Sequence, residues 1–316
     1  MTLDNILEEI NKANKIVILT HENPDGDAVG SSLAMKLALK QLGKEADIIM
    51  PEHPKEFDFL PGICDLKKDS EITNYDLAIA LDCGSVKQLN GFANYFDNAK
   101  VKVTIDHHSS NSMFADYNYV DQDAPACAQL LLVVFGYFKI DVTKEIGTCI
   151  LSGIITDTGG FRYDSVTSET FRFVADLCEK GINVSKIYQQ VLSTKTRSKF
   201  ELHRIAQNRL EFLEDGKIAF TYITKQDEEN VGAKNGDQNG IAELGRDVEG
   251  VEISIFIRET DKGMRASLRS KTYVNVAEIA VMFGGGGHVH AAACTIQGSL
   301  EHAKQQLLNR AKVCLK

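Results

Sequence analysis

A chain of 316 residues, 43% hydrophobic and 25% charged, is long enough for two domains and is not disordered in composition. Its net charge of -9 argues against binding along a long nucleic acid, although local basic groups or metal ions could still hold a short anionic substrate. Seven cysteines without a C-x-x-C pair and the lack of long apolar runs exclude a disulfide framework, a zinc–thiolate site and a membrane span, so we expect a cytoplasmic protein.

The first half of the chain alternates short apolar runs with helical periodicity. Strands buried on both faces are predicted for KIVILT, ADIIM, DLAIALD and VKVTIDHH, at 15–20, 46–50, 76–82 and 101–108. A helix is predicted between the first two strands, and the segment 124–160 is predicted to be helical throughout. This alternation predicts an α/β fold with a mostly parallel sheet and helices on both faces, in which ligands bind beyond the carboxyl ends of the strands.

The pattern changes in the second half, where a polar helical stretch precedes several strands. Strands are predicted at 217–224, 251–259, 264–270 and 293–298, with helices at 274–284 and at the C-terminus. These elements predict a second, smaller mixed α/β domain. We therefore expect a first domain at 1–185, a helical linker at 186–205 and a second domain at 206–316.

Acidic and imidazole side chains recur at the ends of the buried elements of the first half. These side chains are His21, Asp25, Asp27, Asp82, Asp106, His107, His108 and Asp157. A single carboxylate at such a position often caps the next helix. Four acidic sites on one predicted sheet edge are harder to explain as caps, because a buried carboxylate is costly unless it is paired or bound to a cation.

The residue types at this edge favour a metal site. Histidine and aspartate without cysteine suit Mn²⁺ or Mg²⁺ better than structural zinc. So many carboxylates favour two ions, and a pair about 3.5–4 Å apart can activate water and neutralise a phosphoryl oxygen. Pro24 and Gly26 are expected to turn the backbone between Asp25 and Asp27, and the helix is expected to open at Gly30 and Ser31 with N–H groups free for a phosphate.

Five motifs follow the order of a known superfamily. The motifs HENPDGDAVGS, LDCG, DHH, GIITDTGGFRY and GGGGHVHAAACT together resemble the DHH phosphoesterase superfamily with its C-terminal DHH-associated domain. The resemblance spans roughly residues 15–300, and the length and paired domains are similar to the nanoRNase/pAp-phosphatase group. It implies a catalytic DHH domain with a two-metal site at 1–185 and a substrate-binding domain at 206–316.

The resemblance also implies a role for each acidic or imidazole residue. The implied ligands of two Mn²⁺ ions, or of another divalent ion such as Mg²⁺, are His21 and Asp25 for one ion, Asp27, His107 and Asp157 for the other, and Asp82 for both. Asp106 is expected to orient the imidazole of His107, which would fix the ligating tautomer. His108 is expected to lie beside the scissile phosphate, so the implied catalytic residues are His108, Asp82 and Asp106.

Substrate contacts are implied mainly in the second domain. The glycine run at 284–287 lets backbone N–H groups approach an anion, and strand alternation places Arg265 and Arg269 on one face. The implied substrate-binding residues are Arg269, Ser270, Gly285, Gly286, Gly287, His288 and, in the first domain, Arg162. The segment NGIAELGR at 239–246 is a further candidate on the substrate side.

The sequence leaves the role of two features near these contacts undecided. Phe161 or Tyr163 could stack on a nucleobase, or could instead pack at the domain interface. Ala293 stands where the superfamily commonly has glycine, and alanine avoids a positive φ, so we expect the loop to approach its ligand slightly differently.

The favoured function is a Mn²⁺-dependent phosphoesterase that hydrolyses short oligoribonucleotides (nanoRNA) to 5′-mononucleotides and dephosphorylates pAp to AMP. Linear or cyclic di-AMP species, such as pApA, are the alternative substrates, and a homodimer is compatible with the sequence. A single-strand DNA exonuclease would need a further binding domain and a basic channel. Inorganic pyrophosphatases of the superfamily have a different C-terminal domain. A non-catalytic nucleotide-binding module is the alternative of another class, and the intact set of implied ligands disfavours it.

Overall fold

The computed structural model describes residues 2–234 and 236–315, and Met1, Asn235 and Lys316 lie outside the described residues. The chain divides into two units, Met1–Thr194 and Lys195–Lys316. This division falls inside the segment that the sequence predicts as a linker. The helix Arg197–Asn208 therefore belongs to the second unit, where Leu202 and Ala206 are buried.

A six-stranded sheet forms the centre of the first unit. Its strands are β1 (Ile16–Leu19), β2 (Ala46–Ile49), β3 (Leu66–Lys67), β4 (Leu77–Leu81), β5 (Val101–Asp106) and β6 (Tyr117–Val120). Its helices are α1 (Thr2–Lys12), α2 (Gly26–Gln41), α3 (Val86–Leu89), α4 (Ala93–Asp97), α5 (Cys127–Phe138), α6 (Lys144–Asp157), α7 (Ser168–Glu179) and α8 (Val184–Tyr188). Short 3₁₀ helices span Lys55–Phe57, Ile63–Asp65 and Asn90–Phe92, and a π-helix spans Gln189–Ser193.

Every strand pair described in this sheet is parallel, and the strand order is β3-β2-β1-β4-β5-β6. The predicted parallel α/β sheet is therefore confirmed, and the structure adds the edge strands β3 and β6. Alternate residues of β1 pack on opposite faces: Ile16 and Ile18 contact the core that includes α2, α5 and α6, whereas Val17 and Leu19 contact the core that includes α3 and α4. Helices thus cover both faces, as strands without a polar face require.

The segment 124–160 is two helices, and the prediction of one continuous helix is wrong. Helix α5 ends at Phe138, where Lys139 adopts a left-handed conformation with φ of 58°. Helix α6 begins after Thr143, whose side chain accepts a hydrogen bond from the backbone N–H of Ile146. A left-handed residue followed by a threonine cap ends one helix and begins another, although apolar residues continue on both sides.

The second unit is built on a mixed six-stranded sheet of order β11-β12-β10-β9-β8-β7. Its strands are β7 (Glu211–Leu213), β8 (Ile218–Ile223), β9 (Ile253–Thr260), β10 (Gly263–Ser270), β11 (Gly286–His288) and β12 (Ala291–Ile296). Its helices are α9 (Arg197–Asn208), α10 (Lys225–Val231), α11 (Ile241–Arg246), α12 (Val276–Val281) and α13 (Leu300–Cys314). None of the helices in residues 2–234 and 236–315 has the length and apolar character that crossing a membrane requires.

Helices α2 and α6 approach each other closely because glycine lies at their contact. A Cβ atom added at Gly30 would lie 2.4 Å from the carbonyl oxygen of Cys149, and that backbone atom cannot move unless α6 shifts. Gly30→Ala is therefore expected to lower the free energy of unfolding by ~1–3 kcal/mol, measured by urea denaturation.

Gly136→Ala is the matched control for this substitution, because Gly136 also lies inside a helix. No described atom lies within 4 Å of a Cβ atom built there. Alanine at this position is expected to leave the free energy of unfolding unchanged or to raise it by ~0.5–1 kcal/mol. Equal stabilities of the two variants would contradict the packing argument.

Candidate metal centre

The carboxyl ends of β1, β4 and β5 meet where the strand order of the first sheet reverses. His21 lies just beyond β1, Asp82 directly follows β4, and β5 ends at Asp106, which precedes His107 and His108. A reversal between β1 and β4 leaves a crevice beyond the strands, because the connections on its two sides run in opposite directions. The motifs that are far apart in the sequence therefore converge at the place where this fold class binds ligands.

Asp82 lies in the middle of the converging side chains. It is 2% exposed and has a left-handed backbone with φ of 55°, which non-glycine residues rarely adopt. Its Oδ2 lies 3.5 Å from Nε2 of His21, and its Oδ1 lies 3.4 Å from Nε2 of His107. Within the described part of the chain, Oδ1 is buried and accepts no hydrogen bond. A buried carboxylate oxygen without a donor is costly, and a bound cation would offset that cost.

His21, Asp25 and Asp82 form one group that could hold a metal ion. Asp25 also caps helix α2, since its Oδ1 accepts hydrogen bonds from the backbone N–H groups of Asp27 and Ala28 at 3.0 and 3.1 Å. This capping uses Oδ1, which is also the oxygen that lies 3.9 Å from Nε2 of His21, and it leaves Oδ2 outside the cap. The capping interpretation and the ligand interpretation of Asp25 are therefore compatible.

Asp27, His107 and Asp157 form a second group. Nε2 of His107 lies 3.3 Å from Oδ2 of Asp157 and 3.9 Å from Oδ2 of Asp27. Asp27 is fully buried, and its two oxygens accept hydrogen bonds from the backbone N–H groups of Cys127 and Ala128 at 2.6 and 2.8 Å. These are the first two residues of α5, and the N-terminus of a helix stabilises an ionised carboxylate.

The two imidazoles after β5 are held by different partners. Nδ1 of His107 lies 3.1 Å from the carbonyl oxygen of Ala124, which only accepts, so Nδ1 carries the proton and Nε2 faces the carboxylates. Nδ1 of His108 lies 2.7 Å from Oδ1 of Asp106. The other oxygen of Asp106 accepts a hydrogen bond of 2.7 Å from Nδ2 of Asn111, so both of its oxygens are engaged.

Burial and close spacing determine which groups of the cluster are charged. Burial opposes the charge on His21, but Asp82 and Asp25 outweigh it and raise the pKa of His21 to about 9. The pKa of His107 is likewise raised by Asp82 and Asp157 despite burial. Burial and neighbouring carboxylates raise the pKa of Asp27 and Asp157, whereas His107 and His21 lower the pKa of Asp82 despite its burial. The carboxylates outnumber the imidazoles that balance them, which favours a bound cation.

The donor atoms fit divalent metal ions. The six side chains of the two groups offer only carboxylate oxygens and imidazole nitrogens, which suit Mn²⁺ and Mg²⁺. Cys83 follows Asp82 along the chain, and the backbone of Cys127 contacts Asp27. Burial raises the pKa of both thiols well above the ordinary value, and neither cysteine belongs to a potential metal-binding group among the described residues.

Close packing of α2 against α6 brings Asp27 to Asp157. A Cβ atom added at Gly26 would lie 2.3 Å from Oγ1 of Thr156. Gly26 is the first residue of α2, so its predicted role in a turn is wrong, and what it provides is room for this contact. The helix also begins before Gly30 and Ser31, which are buried inside it, so the prediction that their N–H groups are free for a phosphate is wrong.

The segment after Asp157 has an unusual backbone. Gly159, Gly160 and Phe161 are all left-handed, with φ of 57°, 74° and 68°. The Arg162 Nε donates a hydrogen bond to the carbonyl oxygen of Gly159 at 3.0 Å. Phe161 packs against the core of the first unit, whereas Tyr163 is 37% exposed. Of the two aromatic residues, Tyr163 is therefore the one that presents its ring to solvent.

In the second unit the strand register places Arg269 and His288 on one face of the sheet. Arg269 of β10 pairs with Ala291 of β12, and Ala291 pairs with His288 of β11. Directly paired residues point to the same face, and two strand spacings separate the backbones by about 9–10 Å. In this register Ala291 is the residue between Arg269 and His288 along the row. This row is suited to binding an anion.

The glycine run leads into a strand, since Gly286 and Gly287 belong to β11 and Gly284 and Gly285 precede it. A Cβ atom added at Gly285 would lie 2.1 Å from the carbonyl oxygen of Ala293, and one at Gly287 would lie 2.4 Å from that of Ala291. Glycine at these two positions is what allows β11 to lie against β12. At Gly286 no described atom lies within 4 Å of the added Cβ position, so glycine is not required there by packing.

Ser270 is placed differently from Arg269. It is 2% exposed, and its Oγ donates a hydrogen bond of 2.6 Å to the carbonyl oxygen of Val274. The same oxygen lies 2.8 Å from Nδ1 of His290. The hydroxyl thus holds the turn after β10 and the imidazole of His290, and it is not presented to a ligand.

Both units match known domains. Residues 15–154 match the DHH family, N-terminal domain, and residues 215–316 match the DHHA1 domain. A protein of Thermus thermophilus named bifunctional oligoribonuclease and PAP phosphatase NrnA is 33% identical over 312 residues, which cover 96% of this chain and 91% of that protein. The chain belongs to the DHH family. This DHH protein is a hydrolase of the phosphoesterase kind.

Two further similarities agree with this membership. The bifunctional oligoribonuclease and PAP phosphatase NrnA of Bacillus subtilis is 23% identical over 98% of this DHH protein and 97% of its own length. The crystal structure of an exopolyphosphatase-related protein from Bacteroides fragilis superposes with a TM-score of 0.90 at 28% identity, covering 99% of this chain and 97% of that one. The DHH fold is therefore shared over nearly the full length.

Two expectations drawn from the family resemblance are corrected in this DHH protein. Asp106 holds His108 and not His107, because the imidazole of His107 is already held by the carbonyl group of Ala124. Ala293 lies in regular antiparallel pairing with Gly286 and Ser267 and outside the left-handed region. Its methyl group therefore fits, and no altered approach of the strand follows from the lack of glycine.

Several contacts of the DHH site are not predictable from single residues. The backbone N–H groups of Cys127 and Ala128 and the carbonyl group of Ala124 act through the main chain, which leaves no mark on residue type. Asn111 differs, because it acts through its side chain. A polar residue in the loop just after the DHH motif is a sequence signal that indicates a contact with the motif. Glu243 lies in the candidate segment 239–246, but its contact with Arg269 depends on the packing of a helix on the sheet.

Asp106→Asn is expected to lower the turnover number of this DHH protein by ~10–100-fold, because a neutral amide holds the His108 imidazole less firmly. Asn111→Ala is expected to lower turnover in the same direction by a smaller factor, since it removes only the second contact of Asp106. Steady-state hydrolysis measures both effects. Affinity for Mn²⁺ should stay unchanged in both variants, and a parallel loss of affinity would show that Asp106 acts on the metal centre instead.

Proposed function

We propose that this DHH protein is a Mn²⁺-dependent phosphoesterase that hydrolyses short oligoribonucleotides to 5′-mononucleotides and dephosphorylates pAp to AMP. The observation that carries the proposal is the convergence of two carboxylate–imidazole groups on Asp82 at the reversal of a parallel sheet. The names of the Thermus and Bacillus relatives support the choice of short RNA and pAp as substrates.

Six side chains are proposed as ligands of two divalent ions. One ion would be held by His21 and Asp25, the other by Asp27, His107 and Asp157, and Asp82 would be a ligand common to both. When bound, the ions supply an activated water molecule and neutralise charge on the phosphate. The protein contributes the fixed geometry, because Asp27 is held by two backbone N–H groups and His107 by a backbone carbonyl group.

His108 acts on the leaving group. Burial opposes its charge, but the hydrogen bond to Asp106 outweighs burial and raises the pKa of His108. In the protonated form that this shift favours, the Nδ1–H group donates a hydrogen bond to Asp106 and Nε2 carries the second proton. We assign that second proton to the oxygen on which negative charge develops as the phosphorus–oxygen bond breaks. Asp106 keeps the ring in one orientation during the transfer.

The second unit recognises the substrate. An acidic protein with a net charge of -9 needs local positive charge to bind a nucleotide, and the row of Arg269 and His288 provides it. We therefore assign catalysis to Met1–Thr194 and capture of a substrate phosphate to Lys195–Lys316. Arg162 is assigned a further phosphate contact in the first unit.

A panel of substrates and metals tests the proposal. The protein is stripped with a chelator, returned to Mn²⁺ or Mg²⁺, and incubated with pAp, the dinucleotide pApA and cyclic di-AMP. We expect AMP from pAp and from pApA, with Mn²⁺ supporting the faster turnover. Inactivity toward all three in both metals would overturn the function, and a preference for cyclic di-AMP would overturn the substrate assignment.

A further inference from the structure

Glu243 is bound to the arginine of the proposed phosphate-binding row. It lies on α11, and its Oε1 accepts a hydrogen bond of 2.7 Å from Nε of Arg269. Nη1 of the same guanidinium donates to the carbonyl oxygen of Leu268 at 3.1 Å. Nε and Nη1 of the guanidinium therefore both have partners, and Nη2, which donates no hydrogen bond among the described residues, can contact an anion.

The packing of α11 on the sheet explains why the carboxylate reaches this place. A Cβ atom added at Gly245 would lie 2.6 Å from Oγ of Ser254, so the helix lies close to β9. Ser254 is paired directly with Arg269 across β9 and β10. Helix α11 therefore approaches the sheet in the same row as Arg269.

Only one carboxylate oxygen of Glu243 is paired in this position. Its Oε2 is buried and has no hydrogen-bond donor among the described residues. Burial opposes its charge, but the charges of Arg269 and Arg246 outweigh burial and lower the pKa of Glu243. A buried, half-satisfied carboxylate is weak evidence for stability, which points to a functional reason for keeping it.

We propose that Glu243 is a positioning residue that presents Arg269 to a phosphate group of the nucleotide substrate. The inference rests on the proposed function, in which Arg269 binds that phosphate. A free arginine side chain has many rotamers and loses them on binding, whereas one already held by a carboxylate loses fewer. Glu243 therefore raises the affinity for substrate without touching it and without taking part in the chemical step.

The chain offers a closely matched control pair on the same sheet. Oε1 of Glu228, on α10, accepts a hydrogen bond of 2.8 Å from Nε of Arg258, on β9. The side chains of this pair are 18% and 29% exposed, against 21% for Glu243 and 25% for Arg269. Arg258 pairs with Arg265 and not with the row that contains His288. Glu228→Ala thus removes an equivalent ion pair away from the proposed phosphate-binding row.

The experiment compares KM and kcat of the full-length Mn²⁺-loaded protein for pAp and for 3′-AMP, which lacks the second phosphate. Glu243→Ala is expected to raise KM for pAp roughly tenfold, a factor that corresponds to ~1.4 kcal/mol, with kcat and the KM for 3′-AMP nearly unchanged. Glu243→Gln keeps an acceptor for Nε and is expected to recover most of the loss. Glu228→Ala is expected to leave every constant unchanged.

Three results would overturn the inference. KM for pAp could stay unchanged in Glu243→Ala, it could rise as much in Glu228→Ala, or it could rise equally for pAp and 3′-AMP. If Glu243→Ala fails to fold, Glu243→Gln and Glu243→Asp test the inference instead. A positioning role predicts that KM for pAp rises more in Glu243→Asp, whose shorter side chain does not reach Nε of Arg269, than in Glu243→Gln. Failure of the proposed function is distinct, because the unmodified protein would then hydrolyse no pAp at all.

Discussion

Asp82→Asn is expected to reduce hydrolysis of pAp by about 10³-fold or more, equivalent to ~4 kcal/mol of transition-state stabilisation. Among the residues that the structure describes, only Asp82 shares one potential metal-binding group with His21 and another with His107. Its Oδ1 is buried without a hydrogen-bond donor. Asparagine keeps the size of the side chain but carries one oxygen and no charge. The measurement is steady-state turnover of pAp in saturating Mn²⁺.

Asp97→Asn is the matched control, because Asp97 is an exposed residue of α4 and the charge removed is the same. Its turnover should equal that of the unmodified protein. Circular dichroism of the Asp82 variant should remain native, since a buried amide replaces a buried carboxylate of equal shape. A folded Asp82→Asn protein that retains full turnover would end the metal-centre interpretation.

Mn²⁺ is expected to stabilise the protein against unfolding, and this effect is the second largest that we predict. At a free ion concentration 100 times Kd, binding to the folded state alone adds ~2.7 kcal/mol per site to the free energy of unfolding. The physical reason is the excess of carboxylates over imidazoles in the cluster, which the cation neutralises. Thermal denaturation across a Mn²⁺ titration measures it, and a chelator should reverse it.

Asp157→Asn should lose most of this stabilisation, because it removes a charged oxygen that lies 3.3 Å from Nε2 of His107. Asp106→Asn should keep it, because both oxygens of Asp106 are engaged by His108 and Asn111. The two variants remove the same charge from neighbouring places. An equal Mn²⁺ response in both would contradict the division between metal ligands and the residue that holds His108.

Together, these variants distinguish effects on metal binding from effects on turnover at a site where both depend on the same few side chains. Substitution of Asp82 is expected to affect both, substitution of Asp157 to affect metal binding most directly, and substitution of Asp106 to affect only turnover. The structure supports this separation, since Asp106 contacts His108 at 2.7 Å while Oδ2 of Asp157 lies 3.3 Å from Nε2 of His107.

Much of the fold could be predicted because its signals are local. The runs KIVILT and DLAIALD are apolar on both faces, which is typical of strands covered by helices on both sides, and the structure confirms them as β1 and β4. The edge strands β3 and β6 escaped prediction because they are short or only half-buried. The break between α5 and α6 escaped it because apolar residues continue through both helices.

The acidic and imidazole residues of the site could be named from the sequence, but their partners could not. Asp27 illustrates the limit, since the groups that hold it are backbone N–H groups about a hundred positions along the chain. Gly26 is a second example. Its residue type indicates a turn, whereas the structure shows that it makes room for Thr156.

The sequence by itself determined which side chains carry metal-binding donor atoms and that they lie near the ends of buried elements, because residue type and apolar patterning are properties of neighbouring positions. Only the tertiary structure decided the strand order that brings them together, the pairing of Asp106 with His108, and the contact of Glu243 with Arg269. The two side-chain contacts depend on distances of about 3 Å that the folded backbone sets and that residue type does not reveal. Such distances are set by packing in the folded protein. Because many different sequences can pack in the same way, residue types alone do not reveal them.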